Sequence, residues 1–222
     1  MPRKLDARMT LDDLEDEILF TSAGLEVDPD AEDLAPATQG WLPLLDRVRA
    51  QDREVRWGAA RVDASRAVNN GRLDHAVVAF GDDLFPAVGK DRSSARWRTF
   101  FTVPVSQFVK WALGREVAAV KGWLASSKDP VLEKHREPLA KWSTGAGDAV
   151  VATRALGPRR GEVWQAREEL AEALTRERDG LHAELTKLGQ DRKLPRDWPD
   201  TFFRVERRHA APEPPAPATP TE

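Results

Sequence analysis

The stretch "WLPLLDRVRAQDREVRWGAARVDASRAVNNGRLDHAVVAF", residues 41–80, decides the fold class. Trp41, Val48, Val55, Val62, Asn69 and Ala76 recur every seven residues, and Leu45, Ala59, Leu73 and Phe80 form a companion row that Asp52 and Arg66 interrupt. A strand would alternate every second residue, which neither row does. A repeat averaging 3.5 residues instead keeps one seam of a long helix turned toward its neighbours. "NNG" at residues 69–71 is also a hairpin-turn signal, but no alternating pattern flanks it. The spacing therefore predicts a helix from about residue 38 to 88, with Gly58 and Gly71 the places where it would bend.

Helical spacing continues on both sides of this stretch. Thr10 is placed to cap a helix whose inner face is Leu11, Leu14 and Ile18, and Asp12, Asp13, Glu15, Asp16 and Glu17 crowd its first two turns. Acids near the positive end of a helix are a plainer account of that crowd than a divalent-cation cluster. Pro29 and Pro36 break the pattern. Pro104 opens a further face of Val105, Phe108, Val109, Ala112, Leu113, Val120 and Leu124, which "SSKDP" ends. Leu132, His135, Leu139, Trp142, Ala146, Val150 and Thr153 follow, with Gly145 and Gly147 as thin places where another helix can approach; "GPRRG", residues 157–161, is expected to end that helix. A last helix carries Val163, Leu170, Leu174, Leu181, Leu185 and Leu188. The final fifteen residues hold five Pro and are expected to form a disordered or polyproline-like tail.

One phrase is written twice. "GKDRSSARWRTFF" runs from Gly89 to Phe101 and "GQDRKLPRDWPDTFF" from Gly189 to Phe203. Gly, Asp, Arg and Arg recur at an offset of 100; single insertions then move Trp97 to Trp198 and the pair Phe100 and Phe101 to Phe202 and Phe203. Each copy follows a long helix. The expected architecture is therefore all-α: an elongated bundle of five to six helices with an internal duplication. Its parts are a flexible segment 1–9, a first half 10–103, a second half 104–207 related by a pseudo-two-fold axis, and a tail 208–222.

The phrase has two readings. A Gly after a long helix accepts the left-handed turn that redirects the chain, and Trp with two Phe buries a large apolar area, so each copy would be a plug closing one end of the bundle. Alternatively Lys90, Arg92, Arg96 and Arg98 around Trp97, and Arg192, Lys193 and Arg196 around Trp198, interleave charge with stacking surface. Single-strand nucleic-acid sites and protein hot spots both do so. Asp91, Asp191, Asp197 and Asp200 dilute that charge. The plug is the preferred reading.

Composition narrows the chemistry. The 222 residues contain no Cys, which excludes thiol catalysis, thiolate metal sites and disulfides and agrees with a reducing compartment. The net charge of −3 is uneven: residues 1–40 carry 11 acids and 3 bases, so the remainder is mildly basic at +5. Neither a signal peptide nor a membrane-length apolar run stands out, so a cytoplasmic protein is expected, and the Ala-, Arg- and Pro-rich usage suggests a bacterial, GC-rich origin. Of the four His, only His209 makes a Glu-x-x-His pair, with Glu206, where a di-iron bundle needs two; Asp179-x-x-His182 is the next nearest, and His135 between Leu132 and Leu139 reads as a core histidine. "GAGD" at 145–148 has neither the preceding strand nor the third Gly of a dinucleotide fingerprint.

No catalytic residue, metal ligand or cofactor is therefore expected. The function these features suggest is a non-catalytic bundle that acts as a scaffold, adaptor or assembly subunit, through a protein partner or self-assembly. Trp111, Trp123 and Trp164 are the aromatics expected to be partly exposed. A nucleic-acid-associated protein using residues 89–101 and 189–203 is the alternative, and a helical enzyme without a recognisable motif is third.

Overall fold

The computed structural model describes residues 2–204, so the Pro-rich tail expected at 208–222 lies outside the described residues. The described chain is all-α, with no strand among the described residues. Six α-helices occur in order: α1 (Leu11–Val27), α2 (Trp41–Ala87), α3 (Ala95–Arg98), α4 (Val105–Phe108), α5 (Leu113–Ser126) and α6 (Pro130–Arg192). Short 3-10 turns lie at Glu32–Thr38 and Trp198–Phe202.

Contacts divide the chain into two compact units. The first joins residues 1–50 to residues 164–222, and the second is residues 51–163. Because α2 and α6, of 47 and 63 residues, each contribute to both, neither unit is one continuous half of the chain. These units are not the 10–103 and 104–207 halves suggested by the repeated phrase.

The first unit is built on α1. Thr10 accepts a hydrogen bond from Asp13 N at 3.0 Å while Asp13 Oδ2 accepts one from Thr10 N at 3.0 Å, a reciprocal cap that contributes about 1 kcal/mol. Leu14, Ile18 and Leu25 then fall on one face and meet Trp41, Leu45, Val48, Leu170, Leu174, Leu181, Leu185, Phe202 and Phe203. Each fully buried aliphatic or aromatic side chain there contributes about 1.5–3 kcal/mol.

The second unit holds an aromatic core. Phe80 from α2 packs edge-on to Phe100 at 5.0 Å, and Trp123 from α5 lies 5.2 Å from Phe101 and 5.0 Å from Phe108. Leu73, Val77 and Leu84 of α2 and Leu132, Leu139 and Ala146 of α6 complete it. Small residues let α6 come close to its neighbours within this unit: a Cβ on Gly145 would stand 2.9 Å from Asn69 Cγ of α2, and one on Gly147 would stand 3.5 Å from Val117 of α5.

The seven-residue seam holds along α2: Trp41, Leu45 and Val48 are buried in the first unit, and in the second Leu73, Ala76 and Phe80 are buried while Val55, Ala59 and Val62 are half-buried. The helix is continuous through Gly58 and Gly71.

Two helix boundaries differ from the sequence expectation. "GPRRG" does not end a helix, and α6 runs through it. Pro158 forfeits one backbone bond and costs about 3 kcal/mol. Buried Leu156 and Val163 on either side, with the Arg159–Glu54 ion pair at 2.7 Å, offset that loss. The helix opened by Pro104 is interrupted after α4, because Val109 and Ala112 turn the chain (ψ −3 and 131) so that Phe108, Trp111 and Leu113 can all face the aromatic core.

The repeated phrase does not become a repeated turn. In the first copy Gly89 (φ 65) lies beyond α2, with Lys90 N bonded to Phe85 O and Gly89 N to Pro86 O, each 3.0 Å. In the second copy the corresponding bonds are Leu194 N to Gly189 O at 2.8 Å and Lys193 N to Gln190 O at 3.2 Å, and Lys193 (φ 55) takes the left-handed position. Both are left-handed helix stops of one type, yet Gly189 sits inside the last turn of α6. Its role there is spatial: a Cβ would come 3.2 Å from the Trp198 ring. The turns are thus out of register, and the internal duplication is not established by them.

Candidate functional site

The rings of the two loops face inward. Trp97 is 4 % exposed, Phe100, Phe101, Phe202 and Phe203 are buried, and Trp198 is half-buried with Nε1 donating to Asp28 Oδ2 at 2.9 Å. Their arginines divide. Arg96 donates from Nε and Nη2 to Asp129 at 2.6 and 2.9 Å and from Nη1 to Ala87 O, pinning α3 to the start of α6; this pulls the Asp129 carboxyl below its usual range. Arg192 donates to Asp30 Oδ1 at 2.7 Å, tying the end of α6 to the segment after α1. Arg92 lies over the Phe85 ring at 4.8 Å and the Trp97 ring at 5.9 Å, and Arg196 is exposed. Stacking of bases would need the rings outward. These ten residues form two separate clusters, one per unit.

The second unit hides a carboxyl pair. Along α5, Leu113, Glu116, Val117, Val120 and Trp123 share the inner face, so Glu116 is carried into the core with none of its surface exposed. It meets Asp74 of α2, whose Oδ2 accepts from Asn70 Nδ2 at 3.0 Å. Neither Glu116 oxygen, nor Asp74 Oδ1, has an amide, hydroxyl or cationic donor. The bond open to them is one in which a carboxyl O–H donates to the neighbouring carboxylate. Burial, and next the adjacent Asp74 charge, push Glu116 up to about 8; burial also raises Asp74.

The first unit holds a buried ion pair. Arg178 Nη2 donates to Glu17 Oε2 at 2.8 Å, Glu17 Oε1 accepts from Arg3 at 2.8 Å, and the Arg178 guanidinium lies 5.2 Å from the Phe203 ring. Arg178 and Glu17 are both excluded from solvent, and Arg178 Nε and Nη1 and Thr21 Oγ1 have no partner. Removing either partner would leave the other charge buried and unpaired, so the pair ties α1 to α6 within this unit.

The histidines are dispersed. His135 Nε2 lies 2.9 Å from Asp83 and its ring 5.9 Å from Phe80; His182 Nε2 lies 2.9 Å from Asp200, His75 is exposed, and His209 lies outside the described residues. Among the described residues no group of three or more His, Asp or Glu is placed to hold a metal ion. No helix there is long and apolar enough to cross a membrane.

Of the three Trp expected to be partly exposed, Trp111 and Trp164 are so and Trp123 is not. Trp123 is buried, Trp111 is half-buried under Arg115, whose Cζ is 3.7 Å from the ring, and Trp164 is exposed with Nε1 bonded to Glu168. The most exposed Trp of the three-to-four-residue rows is Trp57 on α2, at 61 %. Trp57, Arg61, Ala64, Val68, Gly71, His75 and Val78 are all exposed and follow one another at steps of four and three, one continuous stripe opposite the buried seam of the second unit. Val68 is 58 % exposed, and Arg61 Cζ stands 5.4 Å from the Trp57 ring. This stripe was legible in the sequence as a second four–three row out of phase with the first; the buried row, being more apolar, masked it.

The chain matches no family model, no curated protein and no solved structure.

Proposed function

We propose that the chain is a non-catalytic helical protein that acts by binding a protein partner, as an adaptor or assembly subunit, through the outer stripe of α2 in its second unit. The observation that carries this reading is the exposure of Trp57 and Val68 on one helical face at seam spacing, with Val78 continuing it. A large Trp left outward on a helix that already buries its own seam costs hydration free energy unless something covers it. Trp and Arg side by side are also the residues that most often dominate interface energetics. The two loops are assigned to closing the fold, because their rings contribute to the cores and two of their arginines hold neighbouring segments.

The test is recovery of partners on the full chain from its native host, wild type against Trp57→Ala and Val68→Ser together. Both positions are exposed, so circular dichroism and thermal unfolding should not change. The reading expects a partner retained at stoichiometric level by the wild type and lost by the variant; a partner set identical for both chains would sink it.

A further inference from the structure

The stripe on α2 has a charge as well as an apolar row. Arg61 stands in the row and Arg53 precedes Trp57 by one step of four, both exposed and without an ion pair among the described residues, whereas Arg72 at its side is turned over the Trp142 ring at 5.8 Å. The acids nearby are turned away or off the row: Asp74 binds Asn70 and Glu116 within the unit, Asp63 stands one step to the side, and Glu54 pairs with Arg159. From Trp57 to Val78 the row carries no carboxylate at all. Its middle is low, since Ala64 is small and a Cβ on Gly71 would meet nothing within 4 Å. A second backbone can therefore come close there, bracketed by Trp57 at one end and Val78 at the other, about 30 Å apart along the helix axis.

We infer that this face docks an amphipathic helix of another protein, one with an apolar seam and acidic flanks. The inference rests on the protein-binding reading above and names the partner's chemistry. Spacing argues for a helix, because rows at steps of three and four interleave with rows of the same spacing on a partner. Charge argues for acidic flanks, because Arg53 and Arg61 gain a counter-charge from them and none from an apolar or basic helix. A second copy of the same face would set these arginines against one another. A nucleic-acid backbone would satisfy the arginines but leave Val68, Val78 and Ala64 without apolar partners.

The experiment uses two labelled synthetic helical peptides of roughly 28 residues, about four heptads, with Leu at both seam positions and either Glu or Lys at the flanks. Fluorescence anisotropy on the intact chain reads binding. The Glu peptide is expected to bind about tenfold or more tighter than the Lys peptide, and to weaken several-fold between about 0.05 and 0.5 M salt. Trp57→Ala should weaken it by roughly 30-fold, the effect of losing a central Trp anchor. Arg53→Glu with Arg61→Glu should reverse the preference toward the Lys peptide while leaving the helical signal unchanged.

Equal binding of the two peptides, no binding of either, or a preference unmoved by charge reversal would overturn the inference. So would displacement of the Glu peptide by a single-stranded oligonucleotide, or dimerisation of the chain abolished by Trp57→Ala. If a host partner is lost with Trp57→Ala and Val68→Ser but the Glu peptide fails to bind, the acidic-helix inference falls and the protein-binding reading stands. If the host partner is also indifferent to those changes, both fall.

Discussion

Replacing Glu116 by Gln should stabilise the second unit at neutral pH. In the folded chain Glu116 keeps its proton up to about 8, whereas an unfolded Glu releases it near 4.5. Between those values the unfolded state holds fewer protons than the folded one, so stability falls as pH rises, by about 1.4 kcal/mol per unit for one proton. Below 4.5 both states are protonated and the group costs nothing; above 8 both are ionised, the slope vanishes and the full cost remains. At pH 7 the cost is about 3 kcal/mol, and its ceiling is roughly 5 kcal/mol.

Gln has nearly the same shape, carries no charge at any pH and can donate from Nε2 to Asp74. Urea unfolding followed at 222 nm should therefore give wild type and Glu116→Gln within about 1 kcal/mol of one another at pH 4.5, and Glu116→Gln ahead by about 3 kcal/mol at pH 7. Asp74→Asn should shrink the difference, because the neighbouring charge is part of what holds the proton on Glu116. Parallel stability curves for wild type and Glu116→Gln from pH 4.5 to 8, or a variant less stable at pH 7, would refute the buried-proton account.

Other consequences can be checked alongside. Glu17→Ala leaves Arg178 charged and without its carboxylate, and should cost about 3–5 kcal/mol by the same unfolding assay; Glu17→Leu with Arg178→Met should recover most of that loss. The two glycines of the repeated phrase should respond differently: Gly89→Ala strains a left-handed residue by about 1–2 kcal/mol and Gly89→Asn by less, whereas Gly189→Asn should be no milder than Gly189→Ala, since crowding of Trp198 and not φ is what opposes both. Arg96→Ala should lower the unfolding midpoint through loss of its two-pronged bond to Asp129, with Asp129→Ala adding little on top, as a double-mutant cycle would show.

How much of this was legible in the sequence depended on which force set each feature. The seam of α2 was readable because burial at Trp41, Leu45, Leu73 and Phe80 repeats with the helix period. The Thr10 cap was readable because its partners are local in sequence. Helix ends at "GPRRG" were misread because propensity speaks for Gly and Pro alone, while the burial of Leu156 and Val163 that overrides it is tertiary. The compact units were not readable, because the first is closed by residues far apart in the chain, Leu14 against Leu174 and Phe203 among them.

The buried polar groups left a faint trace. Glu116 falls three residues after Leu113 and Glu17 three after Leu14, each on an apolar phase of its helix, yet a charged fraction of 32 % hides two more acids easily. For Trp57 the trace is its phase: it lies on the opposite side of α2 from Val55 and Val62.

Hydroxyl-radical footprinting of the chain alone and in its host complex tests the central claim most directly. Trp57, at 61 % exposed, is a reactive probe in the free protein. The account predicts that Trp57 is protected in the complex while exposed Trp164 keeps its reactivity; Trp57 oxidised as fast in the complex as alone would contradict it.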